Sequence, residues 1–160
     1  MERQQCHCEG EKDAESPRLK QERIKAMKSK VLKINTAGKW KFVEVEGSEA
    51  DHIPLQTMQK AVGGLIECWN LDVMGFPEID IWFNEEGKVK SLPLNPFASL
   101  LSGISFFGDA ICGDVFICAH RGDGTSVGLN EAHETALRKL IGDATRFLSE
   151  FRKVRKERKD

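Results

Sequence analysis

The stretch Ile79-Asp80-Ile81-Trp82-Phe83-Asn84-Glu85-Glu86-Gly87-Lys88 decides the fold. Ile79, Ile81 and Phe83 alternate with Asp80 and Trp82, the two-residue period of a half-buried strand. Glu85-Glu86-Gly87 turns the chain. Lys88-Val89-Lys90 reads as the return strand of a hairpin, ended by Pro93 and Pro96, which cannot donate to a ladder. Connections this short leave no room for helical crossovers, so a largely antiparallel sheet is expected.

Moving toward the N-terminus, Leu65, Ile66, Cys68, Trp69 and Leu71 form another apolar run, read as a mostly buried strand. Before it, Leu55, Met58, Ala61 and Val62 recur at helical spacing behind Pro54, and Gly63-Gly64 supplies a left-handed stop. Val31, Leu32 and Ile34, then Trp40, Phe42, Val43 and Val45, read as two strands joined by a turn at Asn35-Thr36-Ala37-Gly38. Toward the C-terminus, Ala98 to Leu101 reads as a helical turn. Ile111 to Ala119 reads as a strand in which Gly113 marks a bulge or close approach. Thr125 to Leu129 reads as a short partner strand. Asn130 suits a helix N-cap, and Ala136, Leu137, Leu140, Ile141, Ala144, Leu148 and Phe151 lie on one face of a long helix. The expectation is α+β: a single domain whose antiparallel sheet is covered on one face by the long C-terminal helix and the short helix at 54–63.

The chain has 160 residues, enough for one such domain with tails. Residues 1–29 read as a charged extension, with 1–17 disordered and 18–29 marginally helical. The domain itself is placed at 30–160. No apolar run approaches the roughly 18 residues that span a bilayer, and the first residues lack the apolar segment of a secretory signal. The reading is therefore a cytoplasmic protein without membrane contact. Five cysteines, an odd number, fit a reducing compartment, and Cys68, Cys112 and Cys118 sit in apolar runs as core thiols.

The net charge of −1 conceals an uneven distribution. Residues 1–17 carry −3, residues 18–30 carry +5, residues 31–151 carry −7 and residues 152–160 carry +4. An acidic body thus lies between two basic arms. Arg18, Lys20, Arg23 and Lys25 in one, with Arg152, Lys153, Arg155 and Lys156 in the other, are candidate nucleic-acid contacts, because clustered cations neutralise phosphates. Neither arm interleaves aromatics, which argues against base stacking.

Four segments carry a family resemblance: Gln56 to Glu67, Asn84 to Lys88, Leu92 to Asn95, and Ile111 to Asp114. Through them the chain resembles the "domain of unknown function 3846" family over roughly residues 30–145, leaving both basic arms outside. The family is scattered among bacteria, phages and other mobile elements. The resemblance implies one compact α+β domain and brings no catalytic residues with it. Gly64, Asn84, Asn95 and Asp114, one from each segment, are the candidate ligand-binding residues.

Other constellations point to bland roles. Cys6-His7-Cys8 offers three ligands where a structural zinc needs four in separated pairs, so no metal and no cofactor are assigned. Glu85, Glu86, Asp109 and Asp114 suggest a carboxylate pair, but adjacent residues on a turn point apart into water. Gly63-Gly64 and Gly122-Asp123-Gly124 lack the context of a phosphate loop. His133 falls on a helix surface, and the serines lack a nucleophile elbow. The sequence points to an accessory or binding domain that engages a protein or small ligand rather than to an enzyme. Its alternatives are a nucleic-acid-associated protein using both arms, and a small-nucleotide binder or hydrolase of the kind mobile elements carry. Pairing between copies through the long helix is a further option.

Overall fold

The computed structural model describes residues 16–19, 28–48 and 51–157. The disordered reading of 1–17 and most of the helical reading of 18–29 lie outside the described residues. Lys28 and Ser29, read as the end of that helix, instead begin a strand. Strand β1 spans Lys28–Ile34 and β2 Trp40–Glu46, paired antiparallel around the Asn35–Gly38 turn. Asn35 closes that turn by accepting the Lys39 N–H on its side chain at 2.9 Å. Helix α1, Leu55–Val62, ends at Gly63 with φ 78°, the left-handed stop the glycine pair foretold. Strands β3 (Ile66–Leu71) and β4 (Phe76–Asn84) follow, separated by a 3-10 turn. Helix α2 spans Pro96–Leu101, β5 Val115–His120, β6 Ser126–Val127 and helix α3 Glu131–Glu157.

All the pairings are antiparallel, in the order β2-β1-β5-β4-β3, with β6 also on β5. The deciding stretch is the inner strand β4, but the hairpin read after it does not form. Glu85 to Ser91 coil through successive turns, with Lys90 N–H on the Glu86 carbonyl and Leu92 N–H on the Gly87 carbonyl. The reason is edge occupancy. Residues Asp80–Asn84 are paired to β3, and Ile79–Trp82 to β5, so no free edge remains for a third partner. Val89, placed in that return strand, is instead 87% exposed.

The two main helices lie on opposite faces, not on one. Along β5, Val115, Ile117 and Ala119 join one core with Leu32, Ile34, Ile79, Ile81, α2 and the Leu137, Ile141 and Ala144 face of α3. Phe116 and Cys118 point the other way, into a smaller core with Val31, Ile53, Met58 and Val62. A central strand that is apolar on both sides requires cover on both sides. The result is three layers, with α3 and α2 on the first face and the eight-residue α1 on the second.

Asn130 caps α3 by accepting the His133 N–H at 2.8 Å, as its position suggested. The helix has 27 residues and is about 40 Å long. Arg138 stacks its guanidinium on Phe42 at 4.7 Å and Trp40 at 5.6 Å, tying α3 to β2. Past Leu148 the helix leaves the core, and Phe147 and Phe151 stack on one another in solvent. Cys118 is the buried core thiol expected, whereas Cys112 is half-buried and Cys68 is exposed on the edge strand β3. Among the described residues no helix is long and apolar enough to cross a membrane.

Candidate functional site

The four segments that carry the family resemblance meet at one end of the sheet. There β4 ends, β5 begins and α1 stops, and two buried asparagines tie the loops together. Asn84 donates to the Gly63 carbonyl at 3.2 Å and accepts the Glu86 N–H at 2.9 Å. Asn95 accepts the Ala98 N–H at 3.0 Å as the cap of α2 and donates to the Gly113 carbonyl at 3.0 Å. Gly64 packs against the Asn84 amide; a Cβ there would lie 2.6 Å from its nitrogen. Asp114 is exposed and accepts the Thr36 N–H at 3.1 Å, holding the β1–β2 turn. Of the four candidate ligand residues, Gly64 and Asn84 touch each other. Asn95 is fully buried, and Asp114 faces a different groove from the one that Asn84 borders. The suggested carboxylates are equally dispersed: Glu86 pairs with Lys90 at 2.6 Å and Asp109 with Lys88. Lys88 beside it holds the Asp109 carboxyl below the usual carboxylate range.

Gly87 sits where this rim is tightest. A Cβ would stand 2.7 Å from the Cys112 carbonyl oxygen and 3.0 Å from that of Asn84, both backbone atoms that cannot swing aside. Gly87→Ala is therefore expected to destabilise the fold by about 1–3 kcal/mol through overpacking. A urea midpoint equal to that of the parent would show that the loops are not in this contact.

The most open part of the second face holds side chains that sequence reasoning treated as solvated. Two adjoining grooves, of about 350 and 370 Å³, run between α1 and the β1–β2 hairpin. Lys33, Lys39, Lys41 and Asp114 line the first, Lys33, Lys60 and Glu46 the second, and Ala61 lies in both. Lys33 and Lys41 stand directly opposite each other in the strand register. The signal was present: the two lysines are equidistant from the Asn35–Lys39 turn, so hairpin symmetry pairs them.

A second polar cluster lies farther along the same face. Asp80, buried in β4, accepts from Asn70 at 2.9 Å and pairs with His120 Nδ1 at 2.8 Å. Cys68 and Cys118 flank this pair. Although Cys68 as a whole residue is exposed, desolvation of its thiol first, then the Asp80 carboxylate, push that thiol up to about 12. Burial pushes the Cys118 thiol up to about 12 as well. Both therefore hold their protons at neutral pH and are poor nucleophiles. Among the described residues no group of three His, Cys, Asp or Glu side chains is placed to hold a metal ion. Cys6-His7-Cys8 lies outside the described residues.

Of the two basic arms, Lys20, Arg23 and Lys25 also lie outside them, and Arg18 is exposed. Arg152, Lys153 and Arg155 are exposed on the last turns of α3, and Lys156 continues that helix. Arg152 borders a cleft of about 330 Å³ that also touches the Thr36–Gly38 turn, Phe97 and Leu148.

Neither the curated proteins nor the solved structures contain a match to this chain. A family model described as Domain of unknown function (DUF3846) matches residues 27–141, from the start of β1 into the buried stretch of α3. That span contains the asparagine-tied rim and the lysine groove and excludes the basic end of α3, and the chain belongs to this family.

Proposed function

We propose that this domain acts by binding a small ligand rather than by turnover, and that the ligand seats on the second face of the sheet beside α1. One observation carries the reading: on that face the eight-residue α1 leaves a continuous pair of grooves against the β1–β2 hairpin, of the size that small ligands occupy. The protonated thiols beside Asp80 and His120 support a role without covalent catalysis. A second reading, contact with nucleic acid, is favoured by the exposed Arg152, Lys153 and Arg155 at the end of α3.

One experiment separates the two. Backbone amide shifts would be followed while the full chain is exposed to a mixed set of cationic, neutral and anionic fragments, and then to an oligonucleotide. Fragment hits that cluster at residues 33–41, 57–61 and 114–115, whatever their charge, support the groove. Hits confined to other surfaces sink it. Salt-sensitive oligonucleotide shifts centred on residues 152–155 would favour the second reading.

A further inference from the structure

We infer that the groove between α1 and the β1–β2 hairpin takes a small molecule carrying two or more phosphate groups. This inference rests on the reading of that groove as the binding site, and adds the chemical class of the ligand. It starts from an imbalance of charge. Residues 31–151 carry −7, yet Lys33, Lys39, Lys41 and Lys60 gather around one concavity. Four other lysines on the sheet and its loops are matched to acids: Lys28 to Glu44 at 3.1 Å, Lys30 to Glu134 at 2.8 Å, Lys90 to Glu86 at 2.6 Å, and Lys88 to Asp109; Lys139 and Lys153, dispersed along α3, are not. The four groove lysines have no such carboxylate partner among the described residues.

Like charges directly opposite on neighbouring strands destabilise a sheet, and Lys33 faces Lys41 in the register. Two carboxylates reach the grooves, Asp114 in the first and Glu46 in the second, against four ammonium groups. Asp114 has one carboxylate oxygen engaged by the Thr36 N–H, and Glu46 forms no ion pair with a groove lysine among the described residues, so the lysines keep an excess of positive charge. What satisfies several ammonium groups around a space this size is a compact anion of more than one charge. Ammonium groups are point donors suited to phosphate oxygens. The groove volumes match a small molecule. A nucleic-acid backbone would instead extend along a surface and gain from each further phosphate.

The test uses the full chain with inorganic pyrophosphate and tripolyphosphate as probes, followed by calorimetry and by amide shifts. Binding is expected at residues 33–41 and 60–61, with tripolyphosphate tighter than pyrophosphate. Lys33→Met and Lys41→Met keep the aliphatic stem, and each should weaken binding roughly tenfold. Lys139→Met, on the far helix α3, should leave it unchanged. Each groove variant should also melt slightly higher than the parent without ligand, because it relieves the lysine pair. A variant that fails to fold is replaced by Lys60→Met, which touches no strand pairing, with the same expected loss of binding and no change in melting.

Three outcomes overturn the inference. One is polyphosphate binding indifferent to the groove lysines. Another is groove shifts from neutral fragments and none from polyphosphates, which leaves the binding site standing and removes the ligand class. The third is affinity that keeps rising with oligonucleotide length beyond the span of the groove, which would make the surface a nucleic-acid contact. Loss of all groove binding, by any fragment, removes the underlying reading instead.

Discussion

Asn95→Ala should lower the stability of this domain by about 3 kcal/mol, one of the largest effects expected from a single polar substitution. The side chain is fully buried and links three parts of the rim. Its carbonyl caps α2 through the Ala98 N–H, a contact whose loss alone costs about 1 kcal/mol. Its amide donates to the Gly113 carbonyl at 3.0 Å and reaches the Ile34 carbonyl at 3.5 Å. Removing the donor leaves the buried Gly113 carbonyl without it, at about 1–3 kcal/mol. Asn95→Asp keeps the acceptor for α2 but turns the donor into a charged acceptor facing a carbonyl, so it should be no better than alanine. With a urea slope of about 1–3 kcal/mol per molar, the midpoint should fall by about 1–3 M at unchanged slope. A shift of under about 0.3 M for Asn95→Ala would mean that the rim does not depend on this residue.

Asn95 also shows what a single sequence exposes and what it hides. Its place ahead of Pro96 marks a chain redirection, and the Leu92–Asn95 segment helps identify the family, but neither fact reveals that it reaches Gly113. The elements that were legible are those governed by local rules: the α1 stop at Gly63, the Asn130 cap, the apolar face of α3 and the hairpin at Asn35–Gly38. The errors came where a residue's state depends on something distant in the chain. Lys88-Val89-Lys90 has a strand's alternation, yet both edges of β4 are already taken by β3 and β5. Cys68 sits in an apolar run yet is exposed on the edge strand β3, while Leu71 of the same strand is fully buried. The placement of both helices on one face overlooked a cue within β5. Val115 to Ala119 is apolar without alternation, the mark of a strand covered on both sides. The lysine groove was missed for a related reason. Alternating Lys39, Lys41, Glu44 and Glu46 look like a solvated strand face, and only the strand register and the position of α1 turn some of them into the wall of a concavity.

Phe116→Ala should cost about 3–5 kcal/mol, a large part of the roughly 5–15 kcal/mol that holds a domain of this kind together. Phe116 is fully buried at the centre of the second-face core, where it packs with Val31, Met58 and Val62 beneath α1. That core is small, so a cavity there has few neighbours that can collapse into it. Leu137→Ala provides the matched control, because it opens a comparable hole, of about 2–5 kcal/mol, under α3 on the first face. The two variants should differ in what else they disturb. Loss of Phe116 loosens the seat of α1, and with it Ala61 and Lys60, so polyphosphate binding should weaken along with stability. Loss of Leu137 leaves the groove walls in place, so binding to the folded fraction should persist. Measured at a temperature where both variants remain folded, equal loss of binding in the two would show that the groove depends on global stability alone. A Phe116→Ala variant as stable as the parent would remove the second core from the account of this fold.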